Sequence, residues 1–89
     1  MKPVVFTRHA SQRLAERMTT EEEVIQAIRD APWVRSDRQR YSATKWYPFN
    51  EVHEGFFYAG KDVCPIFADE AERLVVVTLY VYFNQRTEP

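Results

Sequence analysis

Glycine is nearly missing from this chain: only Gly55 and Gly60 occur in 89 residues. A glycine-rich loop that cradles phosphates cannot be built from them, which argues against nucleotide-cofactor folds. Cysteine occurs once, at Cys64. One thiol closes no intramolecular disulfide and offers no zinc-ligand spacing, so a reducing, cytoplasmic setting is expected, with no metal and no cofactor. Long apolar runs are also lacking. The longest, Leu74 to Phe83, is interrupted by Thr78 and too short for a membrane span. The N-terminus carries no apolar leader segment, so no membrane association is expected. Neither sign of charge dominates: twelve Lys and Arg meet thirteen Asp and Glu, for a net charge of -1. The chain is not globally basic, and any nucleic-acid contact must come from a local patch.

What the chain does have is a globular balance, 45% apolar and 28% charged, with thirteen aromatic residues. The length predicts one domain, residues 1–89, with a thin core to which the aromatics add large buried areas. Cys64 lies in the apolar run VCPIF, which predicts an inert thiol rather than a nucleophile.

Chemistry concentrates near the N-terminus, in FTRHASQRLAER. Wound into a helix from Thr7 to about Met18, this stretch aligns Ala10, Leu14 and Met18 on one stripe. Beside it run His9, Arg13 and Arg17, also at four-residue spacing. Arg8 and His9 fall in the first turn, where the helix dipole disfavours cations by about 0.3–1 kcal/mol each. An anion docked there would turn that cost to use. Histidine is the side chain suited to proton transfer near neutral pH, which makes His9 an acid–base candidate, and Arg13 and Arg17 suit phosphate binding. The alternative is a solvated surface row, with Glu16 pairing locally with Arg13.

Thr20 and Glu23 form a capping box, predicting a second helix from Glu21 to about Ala31 that ends at Pro32. Val24, Ile25, Ile28 and Ala31 would face inward. After Trp33 the pattern turns to β. Strands are expected near Val34–Ser36 or Arg38–Thr44, at Glu54–Ala59, at Val63–Phe67 and at Leu74–Phe83. Pro48–Asn50, Gly60–Asp62 and Asp69–Arg73 read as turns. Val75, Val77, Leu79, Val81 and Phe83 would line one face of the last strand, with Thr78, Tyr80 and Tyr82 on the other. Gln85–Pro89 reads as a frayed tail. Val4–Phe6 completes the order as a first strand. The class is α+β, with the N-terminal strand and helix pair on one face of an antiparallel sheet.

Between Trp33 and Tyr47, Arg35, Arg38, Arg40 and Lys45 meet only Asp37, a local charge of +3 from four cations and one anion. The interleaved Trp33, Tyr41, Trp46 and Tyr47 could stack on unpaired bases. A charged edge strand is the competing reading. His53, between Glu51 and Glu54, is a weaker acid–base candidate, and Asp69, Glu70 and Glu72 read as a solvated acidic turn.

R-H-A-x-x-R-x-x-E-R (Arg8, His9, Ala10, Arg13, Glu16, Arg17) is followed by T-x-E-E-V (Thr20 to Val24) and a final L-V-V-V-T-x-Y strand (Leu74 to Tyr80). This combination resembles a family of small bacterial and phage proteins of unknown function, grouped with the RelE/ParE-like and BrnT-like toxin folds. The resemblance covers the first thirty residues and the last strand. It implies a RelE-like toxin architecture and, by analogy, metal-independent RNA cleavage, with His9 and Tyr80 as catalytic candidates. Arg8, Arg13, Arg17, Arg35, Arg38, Arg40, Lys45 and Tyr82 would then contact nucleic acid. RNA or the ribosome is the implied partner, or a protein such as an antitoxin or host factor. The alternative is a non-catalytic protein-interaction or regulatory module, of a kind that phages encode, that uses the same surface.

Overall fold

Two threonines decide where the helices begin. In the computed structural model, which describes residues 1–87, Thr7 caps helix α1 (Arg8–Glu16) and its Oγ1 accepts from the Ala10 N–H at 3.1 Å. Thr20 caps α2 (Glu21–Asp30) in the same way, accepting from the Glu23 N–H at 3.1 Å. Three glutamates occupy the first turn of α2, where the dipole favours them.

Helix α1 ends at Glu16, two residues before the end its apolar spacing predicts. Met18 is not helical; it adopts a left-handed φ of 59° and is 38% exposed. The Met18 N–H donates to Ala15 O and the Thr19 N–H to Leu14 O, a Schellman closure that uses methionine where glycine is usual.

Six strands form one sheet: β1 (Val4–Phe6), β2 (Val34–Asp37), β3 (Arg40–Ser42), β4 (Lys45–His53), β5 (Phe56–Asp69) and β6 (Leu74–Asn84). The order is β1-β6-β5-β3-β2, with β4 also paired to β5. Both candidate strands after Trp33 therefore form, as the two arms of a hairpin. The sheet is mixed rather than antiparallel, because β1 runs parallel to β6. A parallel pair needs a long crossover, and here everything between the two strands supplies it. The class is α+β, with both helices packed on the sheet. Among the described residues no helix is long and apolar enough to cross a membrane.

Two expected turns lie inside strands. Gly60–Asp62 sits within β5, a single strand where two were expected. Glycine is required there for space: a Cβ on Gly60 would stand 2.1 Å from Trp46 Nε1 and 2.8 Å from Arg86 O. Pro48–Asn50 belongs to β4, as a bulge with Asn50 at φ 52°. The reversal between β4 and β5 instead uses Glu54 and Gly55, both at positive φ.

The core is Ala10, Val24, Ile28, Ala43, Val63, Phe67, Leu74, Val76 and Leu79, all at most 1% exposed. Val75 and Val77, expected inside, are only half-buried, as is Leu14. For the two valines the cause is a bulge in β6: Phe67 pairs with Val76 and Ile66 with Thr78, which leaves Val77 as an extra residue. A one-residue slip exchanges the faces of a strand. Leu74 and Val76 face the core before the bulge, and Leu79 faces it after. The backbone around the bulge is held by Thr7, whose Oγ1 donates to Val77 O at 3.3 Å and whose N–H donates to Val76 O at 3.1 Å.

Gln85 and Arg86 are not frayed. The Gln85 amide donates to Phe57 O at 2.6 Å and accepts from the Ala59 N–H at 3.3 Å, and Arg86 pairs with Asp62. Glu88 and Pro89 lie outside the described residues.

Candidate nucleic-acid interface

β1 pairs only with Leu74–Val76, so past Val76 the outer edge of β6 has no strand neighbour and α1 packs alongside it. This brings the helical row to the last strand. His9 is exposed, and its Nε2 lies 3.1 Å from Thr78 Oγ1. Arg17, the C-cap of α1, holds its guanidinium carbon 5.8 Å from the Tyr80 ring centroid, a cation–π contact. Tyr80 and Tyr82 are 40% and 56% exposed, with nearly parallel rings 6.4 Å apart. His9, Thr78, Arg17, Tyr80 and Tyr82 thus form one continuous strip.

Arg13 is less available than the spacing suggests. Its NH1 donates to both carboxylate oxygens of Glu16, at 3.0 and 2.6 Å. Arg8 is exposed and, among the described residues, forms no ion pair.

The second group of predicted cations stands elsewhere. Arg35, Arg38 and Arg40 lie on the β2–β3 hairpin, beyond β5 from the tyrosines. All three are exposed and, among the described residues, none has an ion-pair partner. Lys45 is drawn away to Asp30 at 3.5 Å and lies 5.8 Å from the Tyr47 ring.

The aromatics expected to stack on bases between Trp33 and Tyr47 serve packing instead. Trp33 donates its indole N–H to Ile28 O at 2.7 Å and meets Phe67 edge-on at 4.9 Å, with Tyr41 against both. Trp46 lies over Gly60. Tyr47 donates to Glu23 O at 2.7 Å. Burial, reinforced by the Glu23 and Asp30 charges, pushes the Tyr47 phenol up from 10.0 to about 12. Tyr41, Trp46 and Tyr47 are half-buried, and Trp33, although 40% exposed, is held by Ile28 O and Phe67; Tyr80 and Tyr82 are the exposed, stacked rings of the sheet.

His53 stacks on Phe83 at 4.3 Å, with Glu54 3.8 Å from its Nε2, within a cluster that includes Phe49 and Tyr58. It lies near the β4–β5 turn against Phe83, the residue after Tyr82, whose side chain takes the opposite face of β6 from the two tyrosines. Cys64, opposite Tyr80, is half-buried. No group of three His, Cys, Asp or Glu is placed to hold a metal among the described residues.

Thr78 is the member of the strip that spacing alone did not single out. Its signal was a polar break in an otherwise apolar strand. Asp62 was missed as well. It holds Arg86 and accepts from Asn84 Nδ2 at 3.2 Å, opposite Tyr82.

Comparison with protein-family models, with curated proteins and with solved structures finds no match in any of the three.

Proposed function

We propose that this protein is a toxin-like domain of RelE-like architecture that engages RNA through the strip along α1 and β6. One observation carries the reading: Arg17 lies against the exposed, stacked Tyr80–Tyr82 pair, one helix length from an exposed histidine. Exposed tyrosine faces stack on unpaired bases, and an adjacent guanidinium neutralises the phosphate between them. Cleavage on this strip is a proton relay. A base removes the 2′-hydroxyl proton, O2′ bonds to phosphorus, the bond to O5′ breaks, and an acid protonates the leaving oxygen. His9 and Tyr80 take these two roles, and Arg17 and Arg8 offset the charge on phosphorus. The site we assign is cytoplasmic, with RNA or the ribosome as partner.

Incubation of the purified protein with total RNA in chelator tests this reading. Fragments ending in 2′,3′-cyclic phosphate are expected, and His9→Gln should abolish them while weakening binding only modestly. Intact RNA together with no measurable RNA binding would overturn it.

A second reading rests on a different surface. Val52, Phe56 and Phe57 at the β4–β5 turn are 63%, 68% and 53% exposed. Apolar side chains projecting from a hairpin tip suit a protein partner, such as an antitoxin or host protein, and a non-catalytic module. Intact RNA with a partner lost on Phe56→Ser would favour it.

A further inference from the structure

The tip of the β2–β3 hairpin, Arg35 to Arg40, is charged, open and without apolar side chains, the exposed Val34 and Trp33 lying behind it. From Arg35 to Arg40 the side chains are Arg, Ser, Asp, Arg, Gln and Arg. Three cations meet one anion, a local +2 in a chain of net charge -1. That anion does not neutralise them: Asp37 Oδ1 accepts from the Arg38 N–H at 2.7 Å and so shapes the turn, with Gln39 at φ 55°. Arg35 is held by its contact with Tyr41, 5.6 Å from the ring centroid. An open concavity of about 650 Å³ lies over Arg35, Ser36, Asp37, Arg38 and Gln39.

Protein interfaces are anchored by aromatic or apolar side chains at their centre, and the hairpin tip has none. Arginine forks without such an anchor suit phosphate oxygens, which are bound by charge and bidentate geometry alone. The tip also offers no free ring to an unpaired base. Its ligand is therefore a backbone, and paired RNA is recognised through its backbone. The strip along β6 has the opposite character, with exposed rings and little free charge beyond Arg17 and Arg8.

Both surfaces can meet one molecule. Tyr80 pairs with Cys64 and Arg40 with Ala68, so the two stand on the same face of the sheet, on either side of β5. Four residues along β5 and two strand steps across it separate their Cα atoms by about 16 Å.

We infer that the protein's substrate class is RNA in which a paired stem adjoins an unpaired segment. The hairpin arginines hold the stem backbone, and Tyr80 and Tyr82 receive the unpaired bases. The inference rests on the RNA reading above and adds the shape of the RNA to it.

Three RNAs test it by anisotropy across about 50 to 200 mM salt: a short unpaired strand, a blunt duplex, and a stem carrying that same strand as an extension. The junction RNA should bind about tenfold tighter than either part alone. The combined variant Arg35→Gln, Arg38→Gln, Arg40→Gln should bring the junction RNA down to the level of the unpaired strand. It should lower the salt slope by about 0.9 for each lost contact and leave the unpaired strand unaffected. Tyr80→Ala with Tyr82→Ala should do the reverse, sparing the duplex. All five positions are exposed, so thermal melts should match the parent. Equal affinity for unpaired and junction RNA overturns this inference and leaves the RNA reading standing. So does a hairpin variant that loses nothing. Poly-glutamate competing as well as RNA for the hairpin identifies an acidic protein and overturns the inference too. Failure of the wild-type protein to bind any of the three RNAs overturns both readings.

Discussion

The covered face of the sheet and the bare face differ most in what their polar groups touch. Beneath the helices, polar groups are consumed internally. Lys61 is 5% exposed; its Nζ donates to Met18 O at 2.6 Å and to Glu23 Oε1 at 2.8 Å, and Thr19 Oγ1 donates to the same carboxylate oxygen at 2.9 Å. The ammonium thus ties a central strand to the link between the helices. On the bare face Tyr80, Tyr82 and Arg40 keep most of their donors and ring surface open, as do Arg38 in the hairpin turn and Arg35 on the other face of the edge strand. Covered charge is tied into the fold, whereas the open charge has no ion-pair partner among the described residues.

The sharpest way to break this contrast is to remove the covered carboxylate. Glu23→Ala would leave the Lys61 ammonium, 7% exposed in its side chain, without its counter-charge. The expected loss is about 3–5 kcal/mol by denaturant unfolding, because an uncompensated buried charge is the costly outcome. Combining Lys61→Met with Glu23→Gln should recover most of it. A loss within 0.5 kcal/mol, the ordinary range for a surface change, would show that the covered charges hold nothing.

The bare face can be broken structurally at Gly60. Gly60→Ala places a methyl group against the Trp46 indole and the Arg86 carbonyl, so either the tail or the indole must move. About 1–3 kcal/mol of destabilisation is expected from such overpacking. Trp46→Ala in the same chain should remove part of the added cost. A melting temperature unchanged by Gly60→Ala would contradict the close approach.

The smallest effect sharpens the covered side. Tyr47 holds its proton more tightly when folded, with a pKa of about 12 against 10.0 for the free phenol. The unfolded chain therefore releases that proton first as pH rises. The stabilising contribution is whole below pH 10 and declines between pH 10 and 12. Tyr47→Phe should flatten this segment of the stability–pH curve. An identical alkaline decline in the variant would assign the effect to other groups.

The helices were legible because their start signals are local. Thr7, Thr20 and the glutamates after Thr20 act within one turn, and the structure uses each of them. β5 was not legible as one strand. Gly60, Lys61 and Asp62 have turn composition, yet each has a distant reason for standing in a strand: room for Trp46, the link between the helices, and the Arg86 carboxylate partner. Among the site residues, the spacing of His9, Arg13 and Arg17 and the pairing of Arg13 with Glu16 were visible within one helix. The approach of His9 to Thr78 and of Arg17 to Tyr80 depends on packing between residues more than sixty positions apart, which no local pattern encodes.

The bulge at Val77 carries a consequence for how this protein can change. Strict alternation through β6 would put Tyr80 and Tyr82 on the same side as Leu74 and Val76, under the helices. The single surplus residue shifts the phase of the strand halfway along, so that one half supplies the core and the other turns its rings outward. Removing Val77 would make Val76 and Thr78 neighbours opposite Phe67 and Ile66, restoring regular pairing with every later side chain on the face it has now. Loss of a residue beyond the bulge, at Leu79 for instance, would instead turn the following side chains over, so the strand tolerates a change of length at Val77 and not past it.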